Sequence, residues 1–152
     1  MSNVQKYIEH IEYEGQQLAI IVRHSFQKEG IEFFTPGSYS QQLGYMNRAK
    51  GYEILPHVHN PVKREVQYTQ EVLFIKSGRV RVDFYNDSQQ YVESRILEVG
   101  DVIFLSTGGH GFQMIEDTEM IEVKQGPYAG DEDKTQFDPI ESSAVRLKEV
   151  AD

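Results

Sequence analysis

The chain has 152 residues, 15 Lys+Arg against 24 Asp+Glu for a formal charge of -9, and no cysteine. That length suits one domain with a buried core, and the acidic balance argues against nucleic acid or an anionic membrane surface as partner. Without thiols any metal must be held by histidine and carboxylate, and the lack of an apolar run of about 18 residues or of a charged-then-apolar leader leads to the expectation of a cytoplasmic protein.

Short runs rich in β-branched and aromatic residues, separated by turn residues, predict an all-β domain. In chain order the predicted strands are residues 17–23, 31–34, 42–48, 53–59, 70–76, 79–85, 91–97, 101–105, 111–115 and 119–124. Ser77-Gly78, Asn86-Asp87-Ser88 and Glu116-Asp117-Thr118 supply hairpin turns between them. From about Pro139 the pattern changes. Ile140, Ala144 and Leu147 recur at helical spacing, which predicts a short C-terminal helix. No internal repeat or low-complexity linker interrupts the chain.

The chemistry is concentrated in histidines. In an extended strand His57 and His59 point to one face roughly 7 Å apart, the arrangement of a chelate. A carboxylate such as Glu71 and a third imidazole, His110, would complete a three-nitrogen, one-oxygen set for a divalent first-row metal. Lone histidines on strands are ordinarily hydrogen-bonded structural residues, and His10 and His24 are read that way. Asp131-Glu132-Asp133 lacks the spacing of a calcium loop, and Gly108-Gly109-His110-Gly111 precedes a strand rather than a helix and lacks a phosphate-binding lysine.

Gly51, five residues, His57, one residue, His59, then Glu71, six residues and Gly78 resembles the first signature of the cupin superfamily. The run from Gly100-Asp101 to Leu105, followed by Ser106, Gly108, His110 and Phe112, resembles the second. The resemblance implies a double-stranded β-helix, a jelly-roll barrel, in a single domain over residues 1–152. Residues 1–50 would form extra N-terminal strands, 51–125 the barrel core and 126–152 a C-terminal extension. It further implies that His57, His59, Glu71 and His110 hold one divalent transition metal, with Fe, Mn, Ni, Cu and Zn all compatible.

The chain departs from the family pattern in three places. Eleven residues separate His59 from Glu71, far more than the family uses, so Glu65 competes for the carboxylate position. Glu71 is preferred because it precedes the apolar run Val72–Ile75 at the family's distance from Gly78, which leaves residues 60–68 as a lid candidate at the barrel mouth. Ser106 replaces the usual proline, with one residue fewer between Gly108 and His110, and Met114 stands where the family often has asparagine.

Strand parity indicates what else faces the site. If Glu71 points inward so do Leu73 and Ile75, and His110 brings Phe112 and Met114, an apolar lining suited to a small organic ligand. Along residues 79–85, Val80, Val82 and Phe84 read as a core face, with Arg79, Arg81, Asp83 and Tyr85 as a solvated one or, alternatively, as a subunit or substrate surface. Substrate-binding candidates are Tyr45, Arg48, Phe112, Lys124 and Tyr128. The expected function is metal-dependent chemistry of the isomerase or epimerase kind on a small polar metabolite, such as a sugar or sugar-derived acid. That expectation draws on a resemblance to small cupins of surface-polysaccharide pathways. The alternatives are an Fe(II)-dependent dioxygenase-like cupin and a non-catalytic, metal-dependent ligand-binding module. Extra strands before Gly51 lead to the expectation of a homodimer.

Overall fold

A computed structural model describes residues 5–149, and its strands lie in antiparallel sheets. The larger, five-stranded sheet has the order β1 (Ile8–Tyr13), β2 (Gln16–Val22), β8 (Val102–Leu105), β5 (Glu71–Ser77) and β10 (Glu119–Lys124). The smaller, three-stranded sheet runs β7 (Tyr91–Glu98), β6 (Arg79–Tyr85) and β9 (Gly109–Met114), and a separate hairpin joins β3 (Gly30–Phe33) to β4 (Gly44–Asn47). No helix among the described residues is long and apolar enough to cross a membrane.

Alternation builds the core between the two sheets. Ile11, Ala19, Ile21, Leu73, Ile75 and Ile103 from the larger sheet meet Val80, Val82, Phe84 and Leu97 from the smaller, all buried. The alternate residues of the larger sheet, Ile20, Val22 and Phe104, form a second cluster on its outer face with Phe26, Phe34, Tyr39 and Tyr45, so the β3–β4 hairpin region covers that face. This explains why β2 is a nearly continuous apolar run rather than an alternating one. Each such side chain contributes about 1.5–3 kcal/mol when fully buried.

An inward-facing charge network closes one side of the molecule. Glu9 on β1 is buried and pairs with both Arg23 and Arg95, the latter on β7 and itself buried. Arg23 Nη1 donates to the Ile96 carbonyl at 2.6 Å and to Asp101 Oδ2 at 3.0 Å. Asp101, 1% exposed, also accepts from the His24 and Glu98 backbone amides, each at 2.8 Å. The network ties β1 and the end of β2 to β7.

The sequence reading and the structure part company in four places. β1 was not among the expected strands, because Glu9 occupies a core position and a register shift between Ile11 and Glu12 breaks the alternation. The C-terminal helix expected from Pro139 is not what the described residues form. A single 3-10 turn, Ser142–Ala144, is followed by extended backbone that bridges to Ser94, with the Ser94 amide donating to the Arg146 carbonyl and the Lys148 amide to the Ser94 carbonyl, both at 3.0 Å. Pairing to the edge of β7 outweighs the helical spacing there. The same tail covers the face of β6 that the sequence suggested was solvated: Asp83 and Tyr85 are buried, and the Ile140 amide donates to Tyr85 Oη at 2.8 Å. Finally, residues 53–59 join no strand.

Gly78 makes the β5–β6 turn with φ +86, and a Cβ there would lie 2.5 Å from Thr118 Oγ1 and closer still to the Asp117 carbonyl. Gly78→Ala is therefore expected to cost at least about 2 kcal/mol, read as a lowered denaturant midpoint. Glu9→Ala removes one carboxylate from Arg95 and one from Arg23, leaving them Glu93 at 2.9 Å and Asp101 at 3.0 Å, and should cost about 1.5–3 kcal/mol by the same measurement. A loss below about 1 kcal/mol would mean that the network behaves like a solvent-exposed ion pair.

Candidate functional site

The side of the molecule opposite the charge network is open. β9 pairs only with β6 and β10 only with β5, so each leaves one edge unpaired, and a cleft of about 1420 Å³ runs over the edge of β9 and between the sheets. Register identifies the inward residues. Glu71 lies opposite Leu105 and Lys124, Glu122 opposite the core residue Leu73, His110 opposite Phe84, and Phe112 opposite Val82. Opposed residues share a sheet face, so Glu71, Glu122, Lys124, His110 and Phe112 all point into the cleft, which they line.

Glu71 and His110 are brought together: His110 Nε2 stands 3.3 Å from Glu71 Oε2, both side chains half-buried. The contact with His110 holds the Glu71 carboxyl below its ordinary range, against the opposing effect of burial. Glu122 is pushed the other way, first by partial burial of its carboxyl and then by the charge of Glu71. Phe112 packs edge-on beside His110, ring centroids 5.6 Å apart, and against the core. Lys124 Nζ pairs with Asp133 Oδ2 at 3.0 Å, and Thr69 Oγ1 donates to the same carboxylate. Asp133 thereby fastens the segment after β10 to the mouth of the cleft.

The other two histidines are elsewhere. His57 and His59 stand edge to face, centroids 5.2 Å apart, on an extended segment in which residues 51–68 are all exposed. Glu65 lies on that segment too. Among the described residues no group of three or more His, Asp or Glu converges in a way that could hold a metal ion. One chain thus assembles two of the four expected ligands at the cleft and displays the other pair in solvent.

The substrate candidates divide similarly. Phe112 and Lys124 line the cleft. Tyr45 packs edge-on against Phe26, centroids 4.8 Å apart, in the outer-face cluster. Arg48 stacks over the Tyr52 ring at 4.4 Å, and Tyr128, 88% exposed, borders a separate small pocket with Lys124 and Pro127. Sequence reasoning missed Glu122, although the parity that points Lys124 inward points Glu122 inward as well. Arg81 and Asp83, paired at 2.8 Å on the cleft's far wall, belong to the charged β6 face for which the sequence left a substrate surface open as the alternative to a solvated one.

Comparison with family models, with curated proteins and with solved structures gives no match for this chain.

Hydrogen bonding from Thr69 and then Lys124 lowers the Asp133 pKa, so the stabilisation it provides is complete above the ordinary carboxylate range and is lost as pH falls through the lowered value. Lys124 is raised by the same partner, so its contribution persists through neutral pH and is lost only in strong base. Asp133→Asn should speed amide hydrogen exchange across residues 126–137 at neutral pH, and the difference from wild type should shrink toward acid. Equal exchange in the two proteins at neutral pH would show that the tether is inert.

Proposed function

We propose that the protein is a cupin-type domain whose cleft binds one divalent transition metal (Fe, Mn, Ni, Cu or Zn) together with a small polar metabolite, such as a sugar or sugar-derived acid. The observation that carries this reading is the 3.3 Å contact between Glu71 and His110. Each was singled out by a different motif, and they meet on the inward faces of two separate sheets. Antiparallel facing sheets, with Gly78 and Gly100 at strand-ending turns of positive φ, support the cupin reading further.

Donor chemistry fits the metal: three imidazoles and one carboxylate suit a borderline divalent ion in a chain that has no thiolate. Geometry within one chain supplies Glu71 and His110 alone, so His57 and His59 have to be delivered to them. When bound, such an ion is a Lewis acid able to polarise a carbonyl or hydroxyl. The protein's own groups set the rest of the site. Glu71 is held in its ionised form by His110, Lys124 places a cation at the mouth, and Glu122 offers a carboxyl to ligand hydroxyls. Phe112 gives the wall one apolar surface against which a ring can rest.

Elemental analysis of protein purified without added metal or chelator tests the proposal. The expected result is a near-stoichiometric divalent ion that is lost in Glu71→Ala, His110→Ala and His57→Ala alike. Metal content indifferent to all three substitutions would sink it. Iron accompanied by oxygen uptake would move the function to dioxygenase chemistry, whereas a ligand that raises the melting temperature and is recovered intact would make the protein a binding module.

A further inference from the structure

Strand β9 gives the small sheet two glycines on its outer face, and packing explains only one of them. Gly109 lies opposite Tyr85, Gly111 opposite Asp83 and Gln113 opposite Arg81, so these residues share the face turned away from the core. A Cβ on Gly109 would stand 2.9 Å from the Phe137 ring, which the C-terminal segment lays there. At Gly111 a Cβ would meet nothing within 4 Å, and the backbone lacks the positive φ that calls for glycine. Glycine inside a strand weakens it, and where neither packing nor conformation needs it the bare backbone marks close approach by a ligand. The cleft of about 1420 Å³ extends over this floor. That volume exceeds the roughly 300–1,000 Å³ of pocket that encloses one small ligand.

Side chains around the floor hold donors that nothing uses. Arg81 gives Nε and Nη2 to Asp83, at 2.8 and 3.0 Å, and its remaining N–H groups have no acceptor among the described residues. Asp83 is filled by those two bonds and by the Ser94 hydroxyl. Tyr85, 4% exposed, accepts from the Ile140 amide and donates to no described residue. Burial raises its phenol above the ordinary range, against the opposing bond from Ile140, so it remains a donor. Gln113 is exposed at the open end. Carboxylates outnumber Arg81, Lys124 and Lys134 along the cleft, and Arg81 and Lys124 are already paired with Asp83 and Asp133. Unused donors give a cation nothing to bind, and the negative surroundings oppose an anion, which leaves neutral oxygen acceptors as the match.

We infer that the outer face of the small sheet holds a second binding pocket, floored by Gly111 and lined by Arg81, Tyr85, Gln113 and Phe137, that takes a neutral saccharide ring. Such a ring has an apolar C–H face to lie on the glycine floor and against Phe137, and a rim of hydroxyl oxygens to accept from the donors. A peptide laid along the free edge of β9 would instead use the backbone groups of that edge and leave the donors on the face unsatisfied. β9 itself divides this pocket from the inner one, because His110 and Phe112 alternate with Gly111 and point the other way. The pocket stands on its own residues and does not depend on the metal reading above.

NMR titration of the isotope-labelled full chain, kept in excess chelator so that no metal contributes, tests the pocket. The probes are the neutral sugars glucose, galactose, mannose and N-acetylglucosamine, with glucuronate and tri-alanine as comparators. At least one neutral sugar should shift the Gly111 amide and Arg81 Nε–H signals saturably, and should do so equally in Glu71→Ala protein. Gly111→Val fills the floor with a residue suited to a strand, so the melting temperature should hold or rise. Its dissociation constant for that sugar should rise about tenfold or more, the effect of an overfilled contact. If Gly111→Val is less stable than wild type, Gly111→Ala makes the same comparison with a smaller group. No shift with any neutral sugar, a folded variant that binds as wild type does, glucuronate binding more tightly than the neutral sugars, or tri-alanine alone producing the shifts would each overturn the pocket. Loss of binding in Glu71→Ala would place the sugar at the inner face and overturn it as well. Because metal is withheld throughout, failure of the metal reading leaves these outcomes unchanged.

Discussion

Burying Glu9 between Arg23 and Arg95 decides the shape of everything else. The two sheets face each other across an apolar core, and inward-pointing charges are tolerated between them only where partners neutralise them. At the β1–β7 side they are neutralised within the chain, since Glu9, Arg95, Arg23 and Asp101 satisfy one another and draw the sheets together. With that side shut and β7 flanked by the C-terminal segment, the free edges that face the cleft are those of β9 and β10. The cleft is therefore the other face of the same construction: sheets clamped along one side and left apart along the other.

Much of this was legible from local pattern. The turns at Ser77-Gly78 and Asn86-Asp87-Ser88 fixed β5, β6 and β7 to within a residue or so, because hairpin signals act between neighbours in the chain. Parity then put Leu73, Ile75, Val80, Val82 and Phe84 in the core, where they lie. What escaped was set by contacts remote in sequence. A glutamate at a core position hides β1 because its arginine partners are far along the chain, and the tail's helical spacing yields to a bridge with Ser94 that no local signal announces. Of the site, Glu71 and His110 were readable from motif spacing and do meet. Residues 53–59 were read as a strand from their alternation, and the backbone is extended as that pattern suggests, but alternation specifies a face to be covered and not which sheet covers it.

The long interval between His59 and Glu71 gains a physical meaning in this light. As a departure from a motif it raised the question of a lid or of a different carboxylate ligand. As a polymer it is a tether, and its length matters less for stability than for reach, because loop closure costs rise only slowly with chain length. A connection of this length therefore leaves return of the segment to its own sheet accessible, since it is short, strained connections that keep a strand from its own sheet.

The two sides of the molecule also explain where chemistry belongs. On the closed side the inward charges are saturated, with Asp101 accepting from Arg23 and from two backbone amides, so nothing remains with which to bind a ligand. On the open side Glu71 has His110 along one edge, faces Glu122 with the same sign of charge, and leaves acceptor capacity unused. Inward polar groups that a fold leaves incompletely paired are the ones on which cations and polar ligands act, because their neutralisation is completed only on binding. The same rule, inward charge needing partners, therefore produces a structural clamp where arginines are within reach and a candidate site where they are not.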